Sequence, residues 1–181
     1  LLPESQATFY YNQMVEEFKR SEIDLFLIET MSTFNEAKYV LNTMICNGLD
    51  KDQRDIFLFF TLSEDGKLRD GMAFNEMMVK LEEYLDVLPI TMVGANCCQP
   101  EAFKMLMEGM NSRTMEILKE KEIVTGCYPN SYITIKKGRK IAEYIIPERE
   151  DLPPEALYSQ HFKPWIKNFV GDQQRLALIG G

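Results

Sequence analysis

Short, continuous apolar runs alternate along this chain with longer segments in which apolar residues recur every three or four positions. The runs occupy positions 23–28, 55–61, 89–95, 123–127 and 176–179. Continuous runs of this length are typical of strands that are buried on both faces of a sheet. The periodic segments between them predict helices at about 4–19, 34–47, 77–85, 100–121 and 154–169. The pattern therefore predicts a repeated strand–helix chain.

Local signals fix several of the predicted boundaries. Thr33 and Glu36 have the spacing of a capping box, which predicts the start of the second helix. Gly48 predicts its end. Pro100 suits the first turn of the fourth helix, where its missing N–H group is no loss.

The spacing of the strands predicts an α/β fold. Successive strands begin about 33 residues apart, which is the length of one βα unit. Such units place parallel strands side by side in either a doubly wound sheet or a (β/α)₈ barrel, and the periodicity does not choose between them. Five strands are too few to close an eight-stranded barrel. No glycine-rich phosphate loop follows a strand, which weakens a nucleotide-binding interpretation.

Composition and charge argue against several classes of partner. The 181 residues carry a formal net charge of -8, and the only basic cluster lies at 136–140. An acidic chain without a basic stripe is poorly suited to nucleic acid. No apolar stretch approaches the roughly 20 residues that span a bilayer, and the first residues lack the pattern of a secretion signal. The four cysteines do not form a dense disulfide framework, so we expect the reducing environment of the cytoplasm.

Polar and reactive residues stand at the ends of the predicted strands. Glu29 directly follows the first apolar run. A carboxylate at that place acts as a general base or as a clamp for a cationic group such as a substrate amine. Alternatively, it caps the next helix or pairs with a neighbouring Lys or Arg.

Cys97 follows the third apolar run and begins a pair of adjacent thiols with Cys98. A cysteine nucleophile usually needs a histidine partner, and the one histidine, His161, lies in a helical pattern far from any strand end. A zinc site needs three or four ligands, which this pair alone does not supply. From spacing alone, Cys97 is therefore a metal ligand or a small buried side chain. We expect Cys98 and Cys127 to be packing residues.

Five segments together resemble the homocysteine S-methyltransferase family, which includes betaine–homocysteine methyltransferase and the homocysteine domain of cobalamin-dependent methionine synthase. In chain order they are 24–30 (DLFLIET), 94–97 (GANC), 128–130 (YPN), 151–156 (DLPPEA) and 179–181 (IGG). No single segment is specific, but five segments in the family's order, spread over nearly the whole chain, are fairly specific.

The resemblance implies a (β/α)₈ barrel with Zn²⁺ at the mouth formed by the carboxyl ends of its strands. It implies that Cys97 is one of three cysteine ligands and that the other two follow Gly181. It also implies that Glu29 holds the amino group of homocysteine and that Asn96 and Asn130 line the pocket. Residues 1–181 would then be one homocysteine-binding domain, an incomplete barrel of about five C-terminal β/α units that lacks the first strands.

The implied reaction is zinc-dependent methyl transfer to the thiol of homocysteine, which forms methionine. The segment 131–150 matches no donor subtype, so S-methylmethionine, S-adenosylmethionine, betaine and a folate or corrinoid donor all stay open, as does the oligomeric state. One alternative is a truncated or degenerate barrel without zinc that serves as a binding module. A weaker one is an unrelated lyase or aldolase that uses Glu29 as its base.

Overall fold

Helices and parallel strands alternate along the described chain. The structure is a computed structural model that describes residues 3–130, residues 160 and 163, and the backbone of residues 176–178. The elements are α1 (Glu4–Arg20), β1 (Leu25–Met31), α2 (Phe34–Cys46), a 3₁₀ turn (Leu49–Lys51), β2 (Asp55–Phe60), α3 (Phe74–Leu85), β3 (Ile90–Asn96), α4 (Pro100–Glu108), α5 (Ser112–Glu120), β4 (Val124–Tyr128) and β5 (Leu176–Leu178).

The strands form one parallel sheet in the order β1-β2-β3-β4-β5. Each strand lies beside the one that precedes it in the chain, so the order does not reverse as it does in a doubly wound sheet. The prediction of an α/β fold with parallel strands is confirmed. A sheet in sequential order is consistent with part of a (β/α)₈ barrel.

The predicted helix boundaries agree with the caps that the structure shows. The Thr33 side chain accepts a hydrogen bond of 3.1 Å from the Glu36 N–H group, and the Glu36 carboxylate accepts one of 2.9 Å from the Ser32 N–H group. Gly48 takes a left-handed φ of 77° just after α2 ends. Pro100 occupies the first turn of α4.

The prediction of one helix over 100–121 is wrong, because the chain forms two helices there. Gly109 ends α4, and Asn111 begins α5 by accepting a 2.9 Å hydrogen bond from the Thr114 N–H group. Asn75 of α3 stabilises the break: its side chain donates to the Gly109 carbonyl at 2.8 Å and accepts from the Asn111 N–H group at 3.2 Å. Because the apolar periodicity continues through this break, the sequence pattern gave no sign of the cap at Asn111.

The first strand is also longer than predicted, since β1 runs on through Glu29 and Thr30 to Met31. Its pairing with β2 shifts register between Ile28 and Met31. The two polar residues therefore lie in an irregular strand end and not in the loop after it. Apart from residues 160 and 163, the predicted helix at 154–169 lies outside the described residues, as do His161 and the segment 179–181.

One face of the sheet packs against the helices. Phe26 and Ile28 of β1 and Leu58 and Phe60 of β2 are buried in that core, whereas Leu27, on the other face of β1, is 47% exposed. In the part of the chain that the structure describes, no helix has the length and apolar character needed to cross a membrane.

Candidate functional site

The carboxyl ends of the parallel strands bring the polar residues of the chain to one edge of the sheet. This edge, which we call the C-terminal edge, is formed by Glu29 and Thr30 of β1, Thr61 after β2, Asn96 and Cys97 at the end of β3, and Tyr128 and Asn130 at the end of β4. Ligands and reactive groups collect at this edge in parallel α/β folds.

Cys97 and Cys98 are adjacent in the chain but lie in opposite environments. Cys97 is exposed and Cys98 is buried. Cys97 adopts a left-handed φ of 48° just after β3 ends, where the chain bends. Burial raises the pKa of the Cys98 thiol to about 12 and raises the pKa of the buried Cys127 thiol as well. Both are protonated packing residues, as predicted, and Cys97 is the accessible thiol of this edge.

Asn96 links β3 to β1 beneath the exposed thiol, and no part of it is exposed. Its side-chain oxygen accepts a hydrogen bond of 2.9 Å from the Thr30 N–H group, and its side-chain nitrogen donates to the Thr30 hydroxyl at 2.8 Å. The same nitrogen lies 3.5 Å from the sulfur of Cys97, and the Thr30 hydroxyl lies 3.7 Å from that sulfur. The sulfur therefore has two hydrogen-bond donors beside it.

Two further bonds hold the main chain around the thiols. The Thr61 hydroxyl, just after β2, donates to the Cys97 carbonyl at 3.2 Å. The Asn130 N–H group, just after β4, donates to the Cys98 carbonyl at 3.0 Å. The turn that carries Cys97 is thus tied to the neighbouring strands on both sides of β3.

A carboxylate and a phenol form a second polar pair at this edge. The exposed Glu29 carboxylate accepts a hydrogen bond from the Tyr128 hydroxyl. Burial raises the pKa of Tyr128, and the hydrogen bond to Glu29 and the negative charge of that carboxylate raise it further. The ring of Tyr128 packs edge-on against Phe59, with their centroids 5.0 Å apart. Tyr128 therefore stays neutral near pH 7 and remains a donor to Glu29.

The structure brings every site residue predicted from the sequence to the C-terminal edge. Glu29 and Cys97 are exposed, Asn130 is partly exposed, and Asn96 is buried. Sequence reasoning assigned no role to Thr30 or Tyr128, although both stand in the segments that carry the family resemblance. Tyr128 could have been recognised as a strand-end residue, but its pairing with Glu29 across two intervening strands has no signature in the sequence. The left-handed φ of 62° at Thr30 has no signature in the sequence.

The described residues alone do not make a complete metal site. Among residues 3–130, 160 and 163, no three His, Cys, Asp or Glu side chains are grouped so as to hold a metal ion. Within these residues, Cys97 contributes an accessible sulfur that lies beside two hydrogen-bond donors.

Comparison with known proteins identifies the family of the chain. The chain matches the family model of homocysteine S-methyltransferase over residues 2–181. Nearly the whole chain is matched, and so it belongs to the homocysteine S-methyltransferase family. No curated protein matches it. The family resemblance stated from the five sequence segments is thereby confirmed.

Proposed function

We propose that this chain is the homocysteine-binding part of a zinc-dependent methyltransferase that converts homocysteine to methionine. The observation that carries the proposal is the exposed thiol of Cys97, which shares one edge of the sheet with the Glu29–Tyr128 pair. The family match supports homocysteine S-methyl transfer in general. The zinc, the methyl donor and the individual residue roles are parts of the proposal.

We propose that the five parallel strands belong to a (β/α)₈ barrel and that the C-terminal edge is its mouth. The sequential strand order supports this, because each βα unit of a barrel lies next to the preceding one. We also propose that residues 1–181 belong to one domain. All four cysteines are free, which agrees with a reducing compartment such as the cytoplasm.

Glu29 is the proposed clamp for the amino group of homocysteine. Its carboxylate is exposed and is held by the neutral Tyr128 hydroxyl, which orients it without cancelling its charge. An ammonium group bound there places the rest of the amino acid over the edge toward Cys97. Asn130 is the proposed wall of this pocket, and Asn96 supports the pocket from beneath, since its side chain is fully buried.

Cys97 is the proposed zinc ligand of this part of the chain, with two further cysteines expected after Gly181. When bound, zinc supplies the means to keep a coordinated thiol deprotonated at neutral pH. In the reaction, a lone pair of the homocysteine sulfur forms the new S–C bond. The bond between the methyl group and its donor breaks, and the donor keeps that electron pair. The thiol proton is released to solvent.

The proposal is tested by methionine formation from homocysteine in the full-length protein, with S-methylmethionine, S-adenosylmethionine, betaine, a methylfolate and a methylcorrinoid as alternative donors. We expect one donor class to support turnover, and we expect Cys97→Ala to remove it. The matched control is Cys46→Ala, which changes an exposed cysteine at the end of α2. Equal activity of the Cys97→Ala and Cys46→Ala proteins would contradict the assignment.

The amine clamp makes a separate prediction about substrate affinity. Glu29→Gln removes a charged hydrogen bond, which is worth about 1.5–3 kcal/mol, so KM for homocysteine should rise roughly 10- to 100-fold with a smaller change in kcat. The control is Glu64→Gln, at an exposed turn residue. Steady-state kinetics with varied homocysteine checks this. An unchanged KM would show that Glu29 does not hold the substrate amine.

A second candidate function is a non-catalytic barrel that binds a partner or ligand without zinc. The observation in its favour is that the described residues hold no complete group of metal ligands. Under this alternative, the full-length protein contains no tightly bound zinc and forms no methionine with any donor, whereas homocysteine or another amino acid still binds near Glu29.

A further inference from the structure

We propose that Thr30 and Asn96 are positioning residues that hold the Cys97 sulfur in place and supply both of its hydrogen-bond donors. This inference rests on the proposed function, in which Cys97 acts as a thiolate ligand. It assigns to Thr30 a role that the family resemblance did not imply. It also assigns to Asn96 the role of holding Thr30 and the Cys97 sulfur in position.

The directions of the hydrogen bonds are fixed by one main-chain group. The Thr30 N–H group can only donate, so the side-chain oxygen of Asn96 must face it, at 2.9 Å. The side-chain nitrogen of Asn96 is then the donor to the Thr30 hydroxyl, at 2.8 Å. Because the hydroxyl oxygen accepts from Asn96, its own proton is left to point elsewhere.

The free direction of that proton is toward the sulfur of Cys97. The Thr30 hydroxyl lies 3.7 Å from the sulfur, and the side-chain nitrogen of Asn96 lies 3.5 Å from it. Both groups act as donors, so the sulfur is placed to accept two hydrogen bonds. A sulfur atom that accepts hydrogen bonds is favoured as a thiolate, and second-shell partners of this kind orient a metal ligand.

The backbone at this point is held in a conformation that the residue type does not favour. Thr30 and Cys97 adopt left-handed φ values of 62° and 48°, and Thr30 is branched at Cβ. Glycine or asparagine takes this conformation more easily than threonine does. Thr30 is also exposed, so packing does not account for it. Its hydroxyl, which lies between Asn96 and Cys97, accounts for a threonine at this position.

The strand order explains why Thr30 and Asn96 are both needed to position the sulfur. Thr30 is on β1 and Cys97 follows β3, and β2 lies between these two strands. Thr30 and Cys97 are therefore not joined to each other by direct main-chain pairing. The buried side chain of Asn96 connects them across the end of β2.

The test separates the hydroxyl of Thr30 from its shape and from its backbone strain. Thr30→Ser keeps the hydroxyl, Thr30→Val keeps the branched shape, and Thr30→Gly relieves the left-handed strain. All are made in the full-length protein with Cys46→Ala, which removes a competing exposed thiol. The first readout is the rate at which iodoacetamide modifies Cys97 in zinc-stripped protein at fixed pH, followed by peptide mass spectrometry.

We expect Thr30→Val and Thr30→Gly to slow modification of Cys97 roughly fivefold, because one of two donors to the thiolate is lost. Thr30→Ser should react like the parent protein. The Gly variant keeps the test decisive if the Val variant folds poorly. The inference is overturned if Thr30→Gly reacts as fast as the parent, or if Thr30→Ser is slowed as much as Thr30→Val.

The second readout is zinc affinity, measured by competition with a chromophoric chelator. Loss of the hydroxyl should weaken binding about tenfold, in the range found for second-shell partners of metal ligands. Absence of zinc and of methyl transfer in the parent protein would remove the proposed function. The alkylation rates would still decide whether Thr30 supports the thiolate, so the two failures are distinguishable.

Discussion

The two edges of the parallel sheet differ in backbone conformation and in where their hydrogen bonds lead. At the C-terminal edge, Thr30 and Cys97 take left-handed backbone conformations, and the hydrogen bonds lead to a sulfur that is open to solvent. At the N-terminal edge, the Arg54 guanidinium pairs with the Asp52 carboxylate at 2.6 Å. Arg54 also donates to the Phe18 and Ser21 carbonyls, both at 3.3 Å.

The two edges differ in whether their polar groups bond within the protein or remain open to solvent. Arg54 joins the end of α1 to the start of β2, and its guanidinium lies 4.7 Å from the centroid of the Phe26 ring, so its bonding capacity is used within the protein. Cys97 is surrounded by donors but has its sulfur exposed. In a parallel α/β fold, the N-terminal edge serves stability and the C-terminal edge carries the chemistry. Substitutions at the two edges should therefore have different consequences.

The largest expected effect comes from a glycine pair on which the shape of the sheet depends. Gly94 of β3 is paired in register with Gly126 of β4, and a Cβ atom at Gly94 would lie 1.9 Å from the Gly126 carbonyl oxygen. Gly94→Ala must push the two strands apart, and we expect it to reduce the free energy of unfolding by about 3 kcal/mol or more. Chemical denaturation measures the loss.

The matched control is Gly71→Ala, since a Cβ atom at Gly71 would meet nothing within 4 Å although φ is 93°. Left-handed strain alone should cost about 1–2 kcal/mol. A Gly94→Ala protein that is no less stable than the Gly71→Ala protein would show that β3 and β4 separate at little cost. The close packing of these two strands, on which both edges depend, would then be contradicted.

An intermediate effect is expected at the N-terminal edge. Arg54→Met keeps an apolar stem but removes the hydrogen bonds that the guanidinium donates to the Asp52 carboxylate and to the Phe18 and Ser21 carbonyls. We expect stability to fall by about 2 kcal/mol while the affinity for homocysteine stays unchanged. Arg20→Met, which removes only a solvent-exposed pair with Glu17, should change stability by about 0.5 kcal/mol or less. A loss of substrate affinity in the Arg54 variant would erase the distinction between the edges.

The smallest effect concerns Tyr84, in the last turn of α3 before the chain enters β3. Its hydroxyl donates to Asn42 at 2.9 Å, and Tyr84→Phe should cost about 1 kcal/mol near pH 7. Burial, and then the charge of Glu83, raises the pKa of Tyr84 above its ordinary value of 10.0. The stabilising contribution of this neutral group is complete below pH 10 and is lost as pH rises past it.

The advantage of the parent protein over Tyr84→Phe should therefore shrink above pH 10. Urea denaturation at a series of pH values checks this, with Tyr10→Phe as the control because Tyr10 is 54% exposed. A constant difference between parent and variant across the alkaline range would contradict the assigned burial of the phenol.

The sheet was predictable from sequence because each strand is a continuous apolar run bounded by a turn. The exposed Glu29 and Cys97 were also predictable as strand-end residues, since the ends of parallel strands share one edge. The break between α4 and α5 was not, because the apolar residues of both helices share one period and the cap at Asn111 looks like any polar position.

The side-chain hydrogen bonds within the site could not be predicted from the sequence. The bonds from Asn96 to Thr30 join residues 66 positions apart, and they depend on two left-handed residues that no composition rule singles out. The partnership of Tyr128 with Glu29 likewise joins strands that are not neighbours. Apolar patterning specifies which residues reach the edge, whereas side-chain hydrogen bonding specifies what they do there.

The most direct test of the account is the zinc content of the full-length protein, determined by elemental analysis after dialysis, for the parent, Cys97→Ala and Cys46→Ala. We predict roughly one zinc per chain in the parent and in Cys46→Ala, and none in Cys97→Ala, with the fold retained because Cys97 is exposed at the sheet edge. A parent protein without zinc, or a Cys97→Ala protein that keeps it, would contradict the claim that this thiol is a metal ligand.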